Sequence, residues 1–131
     1  MNFDAVTIMA LADELRAVLV GGRVQDTLEP DEESIGLEIY ANHQRHYLLL
    51  SAHQQFARVH LSDDKLRRGV EAPSPLGLLL RRYVEGAWIS AVRQPPWERV
   101  LILDLDGAQG VFSLIAEPME RRANVLLVRD D

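Results

Sequence analysis

Eight short apolar runs in this chain fall into two groups of four, and each group follows one helical stretch. That order constrains the fold more than any motif does. A parallel pair of strands needs a crossover of a dozen or more residues, usually a helix. Four strands in a row with only short links between them must instead pair with their neighbours as antiparallel meanders. The expectation is an α+β protein: an antiparallel β-sandwich or pseudobarrel of about eight strands with two flanking helices.

The elements read as follows. Asp4 caps a helix whose residues Ile8, Leu11, Ala12, Leu15 and Val18/Leu19 form one apolar stripe, and Gly21-Gly22 stops it. Arg23 to Leu28 is the first strand. Ile35, Leu37 and Ile39 alternate with Gly36, Glu38 and Tyr40 in the second. "ANHQR" is a turn. "HYLLLSA" is apolar on both faces and belongs inside a sheet, and "FARVHLS" alternates again. Residues 62–75 give the longest loop signal. Ser74-Pro75 then opens a second helix with Leu76, Leu79, Leu80 and Tyr83 on its apolar side, closed by Gly86. Strands follow at about 87–93, 99–106, 110–116 and 124–129, with a hairpin turn from Gly107 to Gly110. The two halves look like loose structural repeats, although their sequences are too dissimilar to establish duplication. At 131 residues the chain suits one domain.

Several chemistries find no footing. There is no cysteine, which removes disulfides, thiolate zinc sites and a thiol nucleophile. No phosphate-cradling loop, His-Glu-x-x-His helix or strand-turn serine elbow occurs. His43, His46, His53 and His60 would need three members to converge before a metal could bind. Neither a metal nor a cofactor is expected. No apolar run reaches the roughly 20 residues of a membrane helix, and MNFDAV lacks a basic leader region, so a cytoplasmic protein without a membrane partner is expected.

Charge is uneven. The net charge is −6. Residues 1–66 hold 5 basic and 11 acidic side chains, whereas residues 67–131 hold 9 of each. Thirteen of the 14 basic residues are arginine, with pairs at Arg67–Arg68, Arg81–Arg82 and Arg121–Arg122. Gathered on one face, such pairs could bind phosphate; from composition alone, a GC-rich or heat-adapted genome that prefers arginine is the favoured explanation. No strand alternates aromatic and basic residues as a single-strand stacking platform would. Asp104 and Asp106 share a strand face, and a solvated surface accounts for them. "EPMERRAN", residues 117–124, is longer than a simple hairpin loop and sets a methionine beside two arginines. In "QPPWERVL" Glu98 and Arg99 stand at a strand mouth behind a proline pair. Neighbours in a regular strand face opposite sides, so both reach one partner only if the chain bends there.

Four segments together resemble the NFACT family, once called fibronectin-binding protein A. They are "FDAVTIMALADELRAVLVGGRVQDTLEPD", "LLLSAHQQFARVHLS", "PSPLGLLLRRYVEGAWISAVRQPPWERVLIL" and "EPMERRANVLLV", in the family's order and over nearly the whole chain. The resemblance implies that residues 1–131 are a single NFACT N-terminal domain, without the family's helix-hairpin-helix, coiled-coil arms or C-terminal RNA-binding domain. It implies a fold similar to the N-terminal domain of formamidopyrimidine-type DNA glycosylases. Those enzymes use an N-terminal proline followed by glutamate; this chain begins Met1-Asn2-Phe3-Asp4, so base excision is not implied.

The implied function is ribosome-associated quality control. Family members bind the large ribosomal subunit carrying stalled peptidyl-tRNA and recruit aminoacyl-tRNA for C-terminal alanine tailing. The domain would position tRNA rather than act as an enzyme, and no catalytic residue is implied. The family's Asp-Arg pair falls on Glu98 and Arg99. Its Met-Gly-Arg segment falls on Met119, Glu120 and Arg121, and its Ser-Asn on Ala123-Asn124. Arg81 and Arg82 fall in its helix motif. The expected tRNA- or RNA-binding residues are therefore Glu98, Arg99, Met119, Arg121, Asn124, Arg81 and Arg82. Three positions in these motifs depart from the pattern: glutamate replaces aspartate at 98, Glu120 replaces glycine, and Ala123 replaces serine. The alternative partner, from the older family name, is fibronectin bound by a surface adhesin.

Overall fold

The computed structural model describes residues 5–51, 58–117 and 124–130. Asp4, His53, Met119 and Arg121, all singled out above, lie outside the described residues. Helix α1 spans Ala5–Leu19 and buries Ile8, Ala12, Leu15 and Leu19, the spacing of one helical face. Gly21 ends it with φ 87°, a left-handed conformation that glycine adopts without steric cost. Strands β1 (Arg23–Leu28), β2 (Ser34–Ala41), β3 (Gln44–Ser51) and β4 (Arg58–Ser62) form an antiparallel meander. Helix α2 (Pro75–Tyr83) leads into the second meander of β5 (Trp88–Arg93), β6 (Leu101–Gly107), β7 (Gly110–Glu117) and β8 (Asn124–Asp130).

All eight strands belong to one ladder in the order β4-β3-β2-β1-β5-β6-β7-β8. The expected antiparallel α+β architecture with two helices is thus observed, and β3 lies between two partners as its two-sided apolar pattern required. Two boundaries differ from expectation. The β2–β3 turn is tighter than "ANHQR", because Asn42 and His43 both take positive φ (53° and 63°), which suits a two-residue hairpin turn. The sixth strand starts at Leu101 rather than 99, because the chain bends at Arg99.

The core is one cluster. Leu37, Ile39, Leu48 and Leu50 from the first meander join Ile89, Leu101, Leu103, Leu105 and Leu114 from the second. Helix α1 lies against β5 and β2, and α2 against β1 and β8, so both helices cover the same buried side of the sheet. Neither meander has a core of its own.

The halves repeat each other closely in register. Leu37 faces Leu48 in the first half, and Leu103 faces Leu114 in the second, each 66 positions on. Leu48 faces Leu61, and Leu114 faces Leu127, with the same shift. Both first hairpins also carry an irregularity at the same place, between Val24 and Asp26 and between Ile89 and Ala91. Gly86, 65 positions beyond Gly21, has φ 86°. Where the halves meet, Gly21 N–H donates to Ile89 O at 2.9 Å and Gly86 N–H to Val24 O at 2.8 Å. Ile89 N–H donates to Gly22 O at 2.8 Å and Val24 N–H to Ala87 O at 2.9 Å. These bonds exchange under a shift of 65, which makes the Arg23–Trp88 pair the centre of a local two-fold arrangement. Only a loose repeat is legible in the sequence, because buried and extended positions recur while residue identities mostly do not.

Candidate nucleic-acid interface

Pro95 and Pro96 fix the backbone between β5 and β6 and cannot donate to a ladder, so regular pairing stops at Arg93. The next residues form a tight turn. Trp97 takes φ 63°, a left-handed conformation unusual for a bulky side chain. Glu98 N–H donates to Pro95 O at 3.1 Å and closes the turn. Gln94 holds it from below: its side-chain amide donates to Glu98 O at 2.8 Å and to Ala5 O at 2.9 Å at the start of α1. The turn is therefore tied to the core rather than hanging free.

Its side chains point away from that support. Trp97 is 79% exposed, and Glu98 and Arg99 are exposed. Among the described residues no hydrogen bond or ion pair holds the side chain of Glu98 or Arg99. Both precede the first ladder residue, so the alternation that would send strand neighbours to opposite faces does not apply. Bulky residues in left-handed conformations cluster at functional sites, where surrounding bonds enforce them.

The end of β7 and the start of β8 lie at the same end of β6: Leu101 pairs with Ala116, and Glu117 with Asn124. Asn124 is the first residue of β8 and sits at that end by its backbone. Met119 and Arg121 belong to the connection outside the described residues.

Arg81 and Arg82 are elsewhere. They occupy the last turn of α2, where cations suit the helix dipole. The Arg82 guanidinium lies 5.2 Å from the centre of the Tyr83 ring. Gln109, in the turn after β6, donates to Arg82 O at 3.5 Å. That turn is at the far end of β6 from Leu101, about 20 Å away at about 3.3 Å per residue. Arg81 instead lines a 140 Å³ cleft with Arg68, Glu29 and Glu71. The structure brings Glu98, Arg99 and Asn124 to one end and leaves Arg81 and Arg82 at the other. Trp97 joins the first group; the sequence signal for it is its place directly after two prolines.

Asp104 differs from its neighbour Asp106. Its carboxylate accepts from Arg93 Nε at 2.5 Å and Arg93 Nη2 at 2.9 Å, and from the Ser113 hydroxyl at 2.9 Å. The Arg93 guanidinium holds this carboxyl below its usual range, partial burial opposes the shift, and the Ser113 hydroxyl adds to it. The aspartate contributes stability while ionised and loses that contribution as pH falls through its lowered pKa. Asp104→Asn is expected to cost about 0.5–1 kcal/mol at pH 7, since the arginine is largely exposed. In urea denaturation the parent and variant should converge below about pH 4; curves that stay parallel would contradict this assignment.

Among the described residues no group of three His, Asp or Glu converges as a metal site. No helix among them is long and apolar enough to cross a membrane. The exposed arginine can pair with a phosphate, and the glutamate can accept from a base amino group or a ribose hydroxyl.

The family model described as NFACT N-terminal and middle domains matches residues 4–131. The chain is 36% identical over 133 residues to the Rqc2 homolog RqcH of Streptococcus suis, covering 98% of this chain and 24% of that protein. The Bacillus subtilis Rqc2 homolog RqcH is 30% identical over 132 residues, covering 97% and 23%. The chain thus spans about a quarter of the length of these curated relatives. Among solved structures, the N-terminal domain of fibronectin-binding protein PavA from Streptococcus pneumoniae superposes with a TM-score of 0.91 at 33% identity, covering 99% of this chain and 51% of that one. The fibrinogen binding protein from Staphylococcus aureus superposes at 0.83 with 27% identity, covering 99% and 47%.

Proposed function

The chain belongs to the NFACT family, and from that premise we propose that it acts in ribosome-associated quality control, positioning tRNA on a large ribosomal subunit that carries stalled peptidyl-tRNA. The reading is carried by one observation: a turn braced by Gln94 presents Trp97, Glu98 and Arg99 outward, and neither charged side chain has a partner among the described residues. The domain performs no bond chemistry in this reading. It supplies a cation for a tRNA phosphate, a carboxylate for a hydrogen-bond donor, and a fixed distance between them. The names of the matched relatives, Rqc2 homolog RqcH, support the process. Glu98 keeps the charge of the family's aspartate and extends it by one methylene.

The test is a graft. This chain replaces the matching segment of the Bacillus subtilis Rqc2 homolog RqcH, and alanine tails on a stalled nascent chain are scored. The graft should support tailing, and Arg99→Ala should reduce it about tenfold, the effect of removing roughly 1.4 kcal/mol of binding energy. Tailing by Arg99→Ala equal to that of the unmutated graft would defeat the proposal. The names of the matched structures favour a second reading, fibronectin or fibrinogen binding. Saturable binding of the chain to immobilised fibronectin would support it; the tRNA reading expects none.

A further inference from the structure

The two-fold centre of the sheet carries a row of exposed side chains drawn from five strands. Arg23 on β1 pairs with Trp88 on β5 and with Tyr40 on β2; Tyr40 pairs in turn with Arg45 on β3. On the other side Trp88 pairs with Asp106 on β6. The adjacent residues Val24, Ile39, Ile89 and Leu105 are in the core, so the row faces outward. Direct cross-strand neighbours stand about 5 Å apart, close enough for each side chain to touch the next.

This row is not an ordinary solvated face. Trp88 is 53% exposed and Tyr40 46%. The Arg23 guanidinium lies 5.5 Å from the centre of the Trp88 ring, and its Nε donates to Gly86 O at 3.0 Å. Both interactions fix its orientation, and among the described residues no carboxylate forms an ion pair with it. An open cleft of 500 Å³ runs between Trp88 and Tyr40 over Arg23, reaching Gln25 and His43. The two-fold arrangement makes the row's asymmetry plain. Under a shift of 65 to 66 positions, Arg23 corresponds to Trp88, Tyr40 to Asp106 and Arg45 to Val111. The first half therefore supplies both cations, and Asp106 bounds the row at its other end.

We propose that this row binds an unpaired stretch of RNA, stacking bases on Trp88 and Tyr40 and pairing phosphates with Arg23 and Arg45. Aromatic faces accept any base, and the planar guanidinium fork fits a phosphate. On a protein of net charge −6, two arginines on one exposed row without a paired carboxylate at Arg23 select a polyanion locally. Asp106 repels phosphate, so the backbone runs on the β1–β3 side of Trp88. The ligand class agrees with the proposed tRNA role, but the site shares no residue with the Glu98–Arg99 turn.

The test is fluorescence anisotropy of a labelled oligouridylate of roughly eight nucleotides with this chain at about 50 mM salt. Saturable binding is expected, weakened about tenfold or more by Trp88→Ala and by Arg23→Ala. Trp88→Phe should stay within about threefold of the parent, since a ring remains to stack upon. Asp106→Asn should bind more tightly. The proposal falls if there is no saturable binding, if Trp88→Ala binds like the parent, or if an RNA duplex binds equally well. It also falls if polyglutamate binds as tightly as the oligonucleotide, which would make an acidic peptide the ligand. Trp88→Ala decides this site whatever Arg99→Ala does to tailing, so failure here is distinguishable from failure of the tRNA-positioning role.

Discussion

Leu103→Ala is expected to destabilise the domain by about 2–5 kcal/mol, and Leu37→Ala by nearly the same amount. Both leucines are fully buried, each in the second strand of its meander, and each faces the equivalent leucine of the third strand. Truncation removes apolar packing and leaves a cavity that the surrounding strands cannot close, because each is hydrogen-bonded on both sides. A single core serves both halves, so damage in either should unfold the whole domain in one step. Total stabilities of about 5–15 kcal/mol leave little margin for such a loss. Urea denaturation followed by two probes measures this. One transition for each variant, with costs within about 1 kcal/mol of each other, is the expected result. Two separate transitions would mean that the halves are independent units.

Glu29→Ala is the second large effect, at about 2–3 kcal/mol. Glu29 is a charged residue only 8% exposed, at the end of β1. Its carboxylate accepts from Ser74 N–H at 3.0 Å and from the Ser74 hydroxyl. That hydroxyl also accepts from Gly77 N–H at 3.0 Å, so a chain of hydrogen bonds runs from β1 into the first turn of α2. Negative charge at a helix N-terminus is favourable in itself. The carboxylate presses so closely on Gly77 that an added Cβ would collide with its Oε2. Gly77→Ala should therefore be costly in the parent and much less so in Glu29→Ala. A double-mutant cycle reads the difference. Strict additivity would show that Glu29 does not fill the space beside Gly77.

Local signals make the elements legible. Gly21 and Gly86 mark helix ends because left-handed backbone there favours glycine. Ser74-Pro75 marks a helix start, and the alternation in Ile35, Leu37 and Ile39 marks a half-buried strand. What stays hidden depends on residues distant in sequence. Arg23 meets Trp88 across 65 positions, and nothing near either one announces it. No single strand alternates aromatic and basic residues, yet such a row forms across four strands, which a pattern along the chain cannot register. Glu29 resembles part of a loop ending because its partner Ser74 lies 45 residues away. The Glu98–Arg99 turn is half legible: the proline pair implies a bend, while the bracing by Gln94 requires α1 to be nearby. Residue type groups Arg81 and Arg82 with Arg99, and the length of β6 separates them.

In the proposed role the braced turn offers Arg99 to a tRNA phosphate. The most direct test of that role is the affinity of this chain for tRNA over a series of salt concentrations. Each phosphate that the protein no longer neutralises should lower the salt slope by about one. Arg99→Ala should weaken binding about tenfold at low salt and reduce the slope by about one, while the fold remains intact by denaturation. Unchanged affinity and slope in Arg99→Ala would contradict the role proposed for Arg99.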